Sequence, residues 1–268
     1  MSDFYQNGII TNLHNLRVQD TESLEKELLA FSKVRPMGLV LPSLYSELLS
    51  PALGNIVKEL KDVKYLHQIV IGLDRATKYE YRDALNYFSK LPQEHVVLWN
   101  DGPRLKALDK KLQKLKLAPQ EMGKGRNVWY CFGYLLAANQ VESVALHDCD
   151  IVTYTRDLLA RLIYPVANPN FNYQFCKGYY SRVSTNKING RVCRLLVTPL
   201  IRSLMKIFPA NDYLEYLNSY RYALSGEFSL RTEVLNDIRI PSDWGLEIGV
   251  LSEMNRNYAN NRICQVDI

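Results

Sequence analysis

The sequence lacks several features that would place it in a specialised class of protein. No apolar run approaches the roughly 20 residues that span a bilayer, and no basic segment followed by an apolar one stands at the N-terminus. The five cysteines form no CxxC pair and are odd in number, which favours a reducing compartment over a disulfide framework. The P-loop spacing G-x-x-x-x-G-K-S/T is absent as well. We therefore expect a soluble, cytoplasmic protein that does not span a membrane.

The composition is that of an ordinary globular chain. Of the 268 residues, 47% are hydrophobic and 23% are charged, which is enough for one large α/β domain or two small ones. The formal net charge of +5 is small for this length, so it does not indicate a nucleic-acid-binding protein, although it favours anionic substrates.

Apolar runs of strand length alternate with amphipathic helical segments through the first half of the chain. This alternation is typical of βαβ units, so we predict an α/β fold with a mostly parallel sheet and helices on both faces. The expected strands are 38–42, which should end at Pro42, then 68–72, 96–99 and 143–146. The expected helices are 51–60, 78–89, 103–117 and 127–138. Ligands of such sheets bind at the carboxyl ends of the strands.

The remaining segments break this alternation. Residues 1–35 form a polar lead-in with one short helix that starts near Thr21. The elements predicted after residue 150 are a strand at 174–180, a helix at 191–208 with a kink at Pro199, and a helical piece at 213–217. We expect residues 151–268 to fold onto residues 36–150 as one compact domain and to shape a second substrate pocket.

The tripeptide Asp148-Cys149-Asp150 directly follows a buried strand pattern. Carboxylates at positions i and i+2 of an extended chain project from the same side. At a strand end they can converge on one hard divalent cation and leave positions open for phosphate oxygens. His147 and Cys149 point to the opposite face, so we predict a core histidine rather than a ligand at 147.

Two segments combine glycine, a basic side chain and a helix start. Residues 123–126, Gly-Lys-Gly-Arg, precede one predicted helix, and Gly190-Arg191 opens another. Glycine lets backbone N–H groups approach an anion, and a helix N-terminus adds partial positive charge to that of Lys124 or Arg191. A diphosphate would suit the first segment and a phosphorylated acceptor the second.

Three further carboxylates occupy positions where a ligand contact is one of the possible roles. Glu227 and Glu247 each stand within a mostly apolar run, where a charge must be paired or must bind hydroxyl groups. For both residues, a sugar contact and a structural salt bridge remain open. Asp74, followed by Arg75, ends the second predicted strand, where it could contact a base or a ribose.

Taken in order, these segments resemble the glucosyl-3-phosphoglycerate synthases, a family of retaining glycosyltransferases with the GT-A fold. The resemblance covers about residues 38–268, and although each motif is short, their collinear order is specific. The motifs are Val40-Leu41-Pro42-Ser43-Leu44, Gly123-Lys124-Gly125, Asp148-Cys149-Asp150, Lys177-Gly178-Tyr179-Tyr180, Gly190-Arg191-Val192, Pro199-Leu200, Leu224-Ser225-Gly226-Glu227-Phe228, Gly245-Leu246-Glu247-Ile248-Gly249 and Gln265-Val266-Asp267.

The resemblance implies a metal-dependent transfer of a hexose, namely glucose, from a nucleoside diphosphate sugar to a small phosphorylated acceptor, namely 3-phosphoglycerate, with retention. It also implies a homodimer that works in compatible-solute biosynthesis. Residues 36–150 would form the nucleotide-sugar-binding half of the GT-A domain and residues 151–268 the acceptor-binding half. The residues do not identify the base of the nucleotide.

The resemblance also assigns roles to individual residues. On the donor side, the nucleotide pocket would contain Pro42, Leu44 and the carboxylate of Glu47. Asp148 and Asp150 would hold Mg²⁺ or Mn²⁺ against the diphosphate, and Lys124 would contact the donor. The cation and Lys124 would stabilise the charge that builds on the leaving diphosphate.

On the acceptor side, the resemblance implies that Gly190 and Arg191 bind the phosphoglycerate and that Glu227 lies near the transferred sugar, where it orients hydroxyl groups. Cys193 stands where the family has a threonine that touches the acceptor. The family also has a metal-ligating histidine shortly after the segment that matches 265–267.

Two other functions remain open. One is a nucleotide-sugar-binding protein that is non-catalytic or has a different specificity. The other is a transferase that acts on a lipid phosphate or a polysaccharide acceptor.

Overall fold

The fold centres on one large, twisted sheet. The computed structural model describes residues 8–14, 16, 20–119, 121–180, 183–184, 187–188 and 190–268. Its ten strands are β1 Thr11–Leu13, β2 Met37–Leu44, β3 Leu66–Asp74, β4 Glu94–Trp99, β5 Ser143–Leu146, β6 Phe175–Tyr179, β7 Val183–Ser184, β8 Lys187–Ile188, β9 Phe228–Arg231 and β10 Ile263–Asp267. Eight of them form the sheet, in the order β1-β10-β6-β9-β5-β2-β3-β4, and β7 pairs with β8 alone.

The helices flank this sheet. They are α1 Thr21–Phe31, α2 Tyr45–Leu48, α3 Pro51–Leu60, α4 Lys78–Phe88, α5 Pro103–Lys114, α6 Lys124–Ala138, α7 Arg156–Ala167, α8 Thr198–Ile207, α9 Asp212–Asn218 and α10 Leu246–Asn257. Local signals in the sequence begin several of them. Asp20 caps α1 through the Ser23 N–H, Ser50 caps α3 ahead of Pro51, and Thr77 forms a capping box at α4.

Two apolar layers confirm the prediction of helices on both faces. Along β2, Leu39 and Leu41 pack in the layer that contains α1, α3, α4 and α7, whereas Val40 packs in the layer that contains α6, α9 and α10. The period of two along a strand sends alternate side chains to opposite faces. The central strands are therefore almost continuously apolar, as buried parallel strands are.

The sheet is mostly parallel, as predicted, with one reversed strand. β9 runs antiparallel to both of its neighbours, β5 and β6, and Phe228 lies opposite Leu146. Because the other strands of the sheet are parallel, the beginning of β9 lies at the edge where they end. The turn that leads into β9 thus joins the edge at which ligands of parallel sheets bind.

Two predictions about the first strands need correction. β2 does not end at Pro42 but continues to Leu44. Beyond Val40 only β3 pairs with it, because β5 has already ended at Leu146, so the missing N–H of proline can face the unpaired side. The segment 1–35 contains the predicted helix, α1, but also β1, which pairs with β10; residues 1–7, 15 and 17–19 lie outside the described residues.

Two predicted helices differ at one end. α6 begins at Lys124 rather than Asn127, so Lys124 and Arg126 lie in its first turn. α5 ends at Lys114, three residues earlier than expected.

The helix predicted at 191–208 has a widened turn where a kink was expected. Residues Cys193–Val197 form a π-helical turn that passes directly into α8, with Pro199 at the start of α8. The Thr198 N–H bonds to the carbonyl of Cys193, five residues back. Such a turn makes room for the proline ring, which a regular helix cannot accommodate.

No described helix is both long enough and apolar enough to cross a lipid bilayer.

Candidate active site

A cleft of about 280 Å³ opens at the carboxyl edge of the sheet. It contains seven of the residues predicted from the sequence, and they come from β2, α2, β3, α6 and the segment after β5. The cleft is lined by Pro42, Ser43, Leu44, Glu47, Asp74, Arg75, Gly123, Lys124, Asn127, Asp148, Cys149 and Asp150. The topology brings these segments together, since β5, β2 and β3 are adjacent and parallel.

Lys124 forms the centre of a charge cluster at this cleft. Its Nζ lies 2.6 Å from Asp148 Oδ1 and 3.0 Å from Glu247 Oε1. Burial alone would lower the pKa of Lys124, but the charges of Asp148 and Glu247 outweigh it and raise that pKa above its usual value. For Glu247, burial is outweighed by the Lys124 charge, so its pKa lies below the ordinary value. In the structure Glu247 thus forms a salt bridge with Lys124, which is one of the two roles that the sequence left open.

Glu227 lies behind this cluster, at the start of β9. Its side chain is buried, and Ser225 Oγ donates a 2.6 Å hydrogen bond to Glu227 Oε2. Burial first, and then the charge of Asp148, raise the pKa of Glu227. Gly226, which lies between Ser225 and Glu227 in the chain, packs closely against Asp148 and Lys124. A methyl group added at Gly226 would overlap Asp148 Oδ2 and lie 3.0 Å from Lys124 Nζ.

The opposite wall of the cleft has a different character. Pro42 and Ser43 are buried, Leu44 is exposed, and the Leu44 N–H donates a 2.9 Å hydrogen bond to Glu47 Oε2. Asp74 is buried and accepts a bond from Asn100 Nδ2. An apolar edge beside buried acceptors can take a flat ring and its polar groups, as a nucleoside requires.

The donor set of the cleft suits a hard cation. Asp148 is half-buried and Asp150 is exposed. Glu47 lines the same cleft as Asp148 and Asp150, and burial first, then the charges of Asp150 and Asp148, raise the pKa of Glu47. No ready-made cluster of three His, Cys, Asp or Glu ligands occurs among the residues that the structure describes. The set fits Mg²⁺ or Mn²⁺ bound by two carboxylates together with water and phosphate oxygens, which is how proteins commonly hold Mg²⁺.

The glycine-rich segment at 123–126 offers fewer backbone N–H groups to an anion than predicted. The Arg126 N–H is taken by the carbonyl of Ser242 at 2.6 Å, so it is not available to an anion. Lys124 and Gly123 do face the cleft. The positive charge at this wall therefore comes from the Lys124 side chain.

Gly190 and Arg191 lie outside the lining of this cleft. Gly190 has a φ of +76°, a conformation that favours glycine, and Arg191 is exposed at the start of the helix. A methyl group at Gly190 would lie 3.8 Å from the Tyr222 ring, three residues before Ser225. The predicted acceptor segment thus borders the chain that leads to Glu227. Cys193 is buried and lines a separate cavity of about 260 Å³ together with Arg202 and Arg221.

His147 is a core histidine, as predicted. It is fully buried, its ring packs edge-on against Tyr154 at 5.3 Å, and burial lowers its pKa to about 3. Cys149 is also buried. Cys149 nevertheless lines the cleft with Asp148 and Asp150, which differs from the prediction: the strand ends at Leu146, and Cys149 and Asp150 lie in a turn rather than in an extended chain.

Sequence reasoning assigned no role to three residues of the site. Asn127 lines the cleft and donates a 2.9 Å bond to the Gly72 carbonyl. Ser225 holds Glu227, and the buried Lys177 donates to the Ser225 carbonyl. Only Lys177 carried a signal, namely a charge within the apolar run 175–180.

The fold is that of the GT-A glycosyltransferases. The structure superposes on glucosyl-3-phosphoglycerate synthase from Mycobacterium tuberculosis in complex with phosphoglyceric acid, with a TM-score of 0.68 and 20% identity, over 97% of this chain and 78% of that one. The same enzyme in complex with Mn²⁺, uridine-diphosphate-glucose and glycerol 3-phosphate gives a TM-score of 0.67 at 20% identity, with the same coverage.

Two curated relatives match almost the whole chain. Glucosyl-3-phosphoglycerate synthase of Persephonella marina is 49% identical over 268 residues, which are 100% of this chain and 66% of that protein. The protein of the same name from Methanococcoides burtonii is 40% identical over 270 residues, 99% of this chain and 65% of its own length. No protein-family profile matches the sequence. The chain belongs to the glucosyl-3-phosphoglycerate synthase family, and it spans about two thirds of the length of these relatives.

Proposed function

We propose that this protein transfers glucose from a nucleoside diphosphate sugar to 3-phosphoglycerate with retention at the anomeric carbon. The observation that carries the proposal is the cleft in which Lys124, Asp148 and Asp150 meet beside an apolar wall. The names of the two curated relatives support the reaction, and the uridine-diphosphate-glucose in the solved neighbour favours uridine as the base.

The residues that we propose for the donor contacts all line the cleft. Pro42, Leu44 and Glu47 form the wall for the nucleoside, and Asp74 lies at the end of the adjacent strand. Lys124 would move its ammonium to the diphosphate, where it would stabilise the charge on the leaving group. Asp148 and Asp150 would hold Mg²⁺ or Mn²⁺, which as a Lewis acid supplies further charge stabilisation to a phosphate-leaving reaction.

The sugar side of the site would consist of Glu227 and Glu247. Glu227 is buried and hydrogen-bonded to Ser225, so it is held in one orientation in which it could accept bonds from sugar hydroxyl groups. Glu247 is paired with Lys124 and would be released when that ammonium turns to the diphosphate. A nucleoside diphosphate is already a good leaving group, so no general acid of the kind that glycosidases use is required.

Gly190 and Arg191 would bind the phosphate of the acceptor. Arg191 is exposed and can form a bidentate contact with phosphate oxygens, and Gly190 opens a helix whose first N–H groups have no partner within the helix. The nearby Tyr222 connects this segment to the turn that holds Glu227.

The proposal is tested by release of the nucleoside diphosphate. The protein is incubated with Mg²⁺ or Mn²⁺ and a panel of sugar nucleotides, with and without 3-phosphoglycerate. We expect UDP release that depends on the acceptor, with formation of glucosylated phosphoglycerate, and loss of both in the double variant Asp148→Ala/Asp150→Ala. Undiminished turnover in that variant would contradict the proposed metal site. Binding of the sugar nucleotide without release would indicate a non-catalytic binding protein, and release with a lipid phosphate or polysaccharide only would indicate another acceptor.

Three further features of the protein are proposed from its family membership. Residues 36–150 and 151–268 would be the donor and acceptor halves of one GT-A domain, the protein would act as a homodimer, and it would serve compatible-solute biosynthesis in the cytoplasm. Light scattering of the purified protein measures the oligomeric state directly, and a mass of one chain would exclude the dimer.

A further inference from the structure

Lys177 is a buried lysine that the proposed reaction does not use. It lies on β6, its side chain is 1% exposed, and its Nζ donates to the carbonyl of Ser225 at 2.5 Å. The ammonium also lies 5.6 Å from the centre of the Phe228 ring. Within the part of the chain that the structure describes, no carboxylate lies within 4.0 Å of it.

A charge in this position is costly for the fold. Burial without a paired carboxylate disfavours the ammonium, and a methionine of similar length would fill the space without that cost. Burial accordingly lowers the pKa of Lys177 to about 8, against the opposing influence of Glu247 and Glu227, so the group remains protonated near neutral pH. A costly buried charge of this kind suggests a role at the site rather than in the core.

The contacts of Lys177 converge on one turn. The Ser225 carbonyl is held by Lys177, while the Ser225 hydroxyl donates to Glu227 Oε2 at 2.6 Å and accepts a bond from the Glu227 N–H at 3.3 Å. The Gly178 N–H, next to Lys177, donates to the Glu227 carbonyl at 3.0 Å. Between Ser225 and Glu227, Gly226 packs directly against Asp148 and Lys124.

We propose that Lys177 is a positioning residue of the donor site, which fixes the turn 225–227 so that Glu227 and Gly226 keep their places beside Asp148 and Lys124. The inference rests on the proposed function, since it assigns this turn to the sugar side of that site. A carbonyl bonded to an ammonium is held more strongly than one bonded to a neutral donor. The charge of Lys177 also offsets that of Glu227, which lies in the field of Asp148.

The test compares Lys177→Met with Cys176→Ala. Cys176 is the preceding residue of the same strand, is fully buried, and packs in the other apolar layer, so its truncation disturbs the strand without touching the turn. Four quantities are measured for each variant: hydrogen exchange of the backbone amides of residues 225–228 without ligand, the affinity for UDP, the affinity for UDP-glucose, and kcat. Lys177→Gln, which keeps a donor, serves if the methionine variant does not fold.

For Lys177→Met we expect faster exchange in the turn, an unchanged affinity for UDP, weaker binding of UDP-glucose, and a loss in kcat on the order of 100-fold, as a misplaced positioning group produces. Lys177→Gln should recover part of that loss. The same pattern in Cys176→Ala, or unaltered exchange of the turn in Lys177→Met, would overturn the inference. If the wild-type protein binds no sugar nucleotide, the proposed function fails, and the exchange data alone decide whether Lys177 holds the turn.

Discussion

The ion pair between Lys124 and Asp148 gives the most direct test of the site, because it can be measured in the protein without substrate. The pair is formed at 2.6 Å, and its side chains are 31% and 30% exposed; Glu247, the second partner of Lys124, is 20% exposed. Exposed pairs contribute about 0–1 kcal/mol, whereas loss of one partner of a fully buried pair costs about 3–5 kcal/mol. At this intermediate exposure, we expect Lys124→Met to lower the free energy of unfolding by about 1–2 kcal/mol.

The assay is a double-mutant cycle of Lys124→Met, Asp148→Asn and both together. In a chain of this length, the loss from Lys124→Met corresponds to a decrease in Tm of roughly 2–6 °C. The double variant should lose less than the sum of the single variants, by about 1 kcal/mol, because the interaction between Lys124 and Asp148 is lost in each single variant but only once in the double variant. Lys114→Met, an exposed change on α5, is the control and should leave the Tm unchanged.

Additive effects in the cycle, within about 0.5 kcal/mol, would show that the pair contributes no coupling energy and would contradict this expectation. The same Lys124→Met variant should lose about 100- to 1,000-fold in kcat for transfer, as enzymes do when they lose one group that stabilises a developing charge. An activity equal to that of the wild type would show that Lys124 takes no part in the reaction.

Three further predictions concern other parts of the site. His147 has a pKa of about 3 when folded and 6.5 ordinarily, so the unfolded chain binds a proton first as pH falls and stability decreases by about 1.4 kcal/mol per pH unit below 6.5. Denaturant unfolding should therefore show that His147→Phe loses less stability than the wild type between about pH 7 and about pH 5, and equal losses would contradict this. Gly226→Ala should reduce kcat severely without removing any charge, since the added methyl group overlaps Asp148. An unchanged kcat in steady-state kinetics would show that the turn moves aside and would contradict this prediction. Arg191→Met should raise KM for 3-phosphoglycerate and leave the affinity for UDP unchanged; an equal effect on both would place Arg191 outside the acceptor site.

Much of the fold was predictable, since local patterns determine it. The helix at 51–60 and the strand at 143–146 occur within the predicted bounds, because a proline start with a serine cap and a short apolar run are decided by adjacent residues. The prediction failed at Pro42, where strand pairing depends on how far β5 extends beside β2. It also missed β1, whose three residues form a strand only because β10 lies beside them.

The site was less predictable than the fold. Asp148 and Asp150 could be identified from their spacing at a strand end, and Lys124 from its glycines at a helix start. The partners of these residues could not. Lys124 and Glu247 are separated by 123 positions and Lys177 and Ser225 by 48, and no sequence spacing relates either pair.

Taken alone, the sequence determined most of the strands and helices between residues 36 and 150, the strand after which Asp148 stands, and the residue types near the strand ends. It could do so because hydrophobic period, capping and turn chemistry act over a few residues. The tertiary structure decided that β9 runs against its neighbours, so that Glu227 enters the carboxyl edge from the opposite direction, and that a buried lysine on β6 reaches the turn before it. Those contacts arise from strand order and close packing, which bring distant residues together at distances that only the folded chain defines.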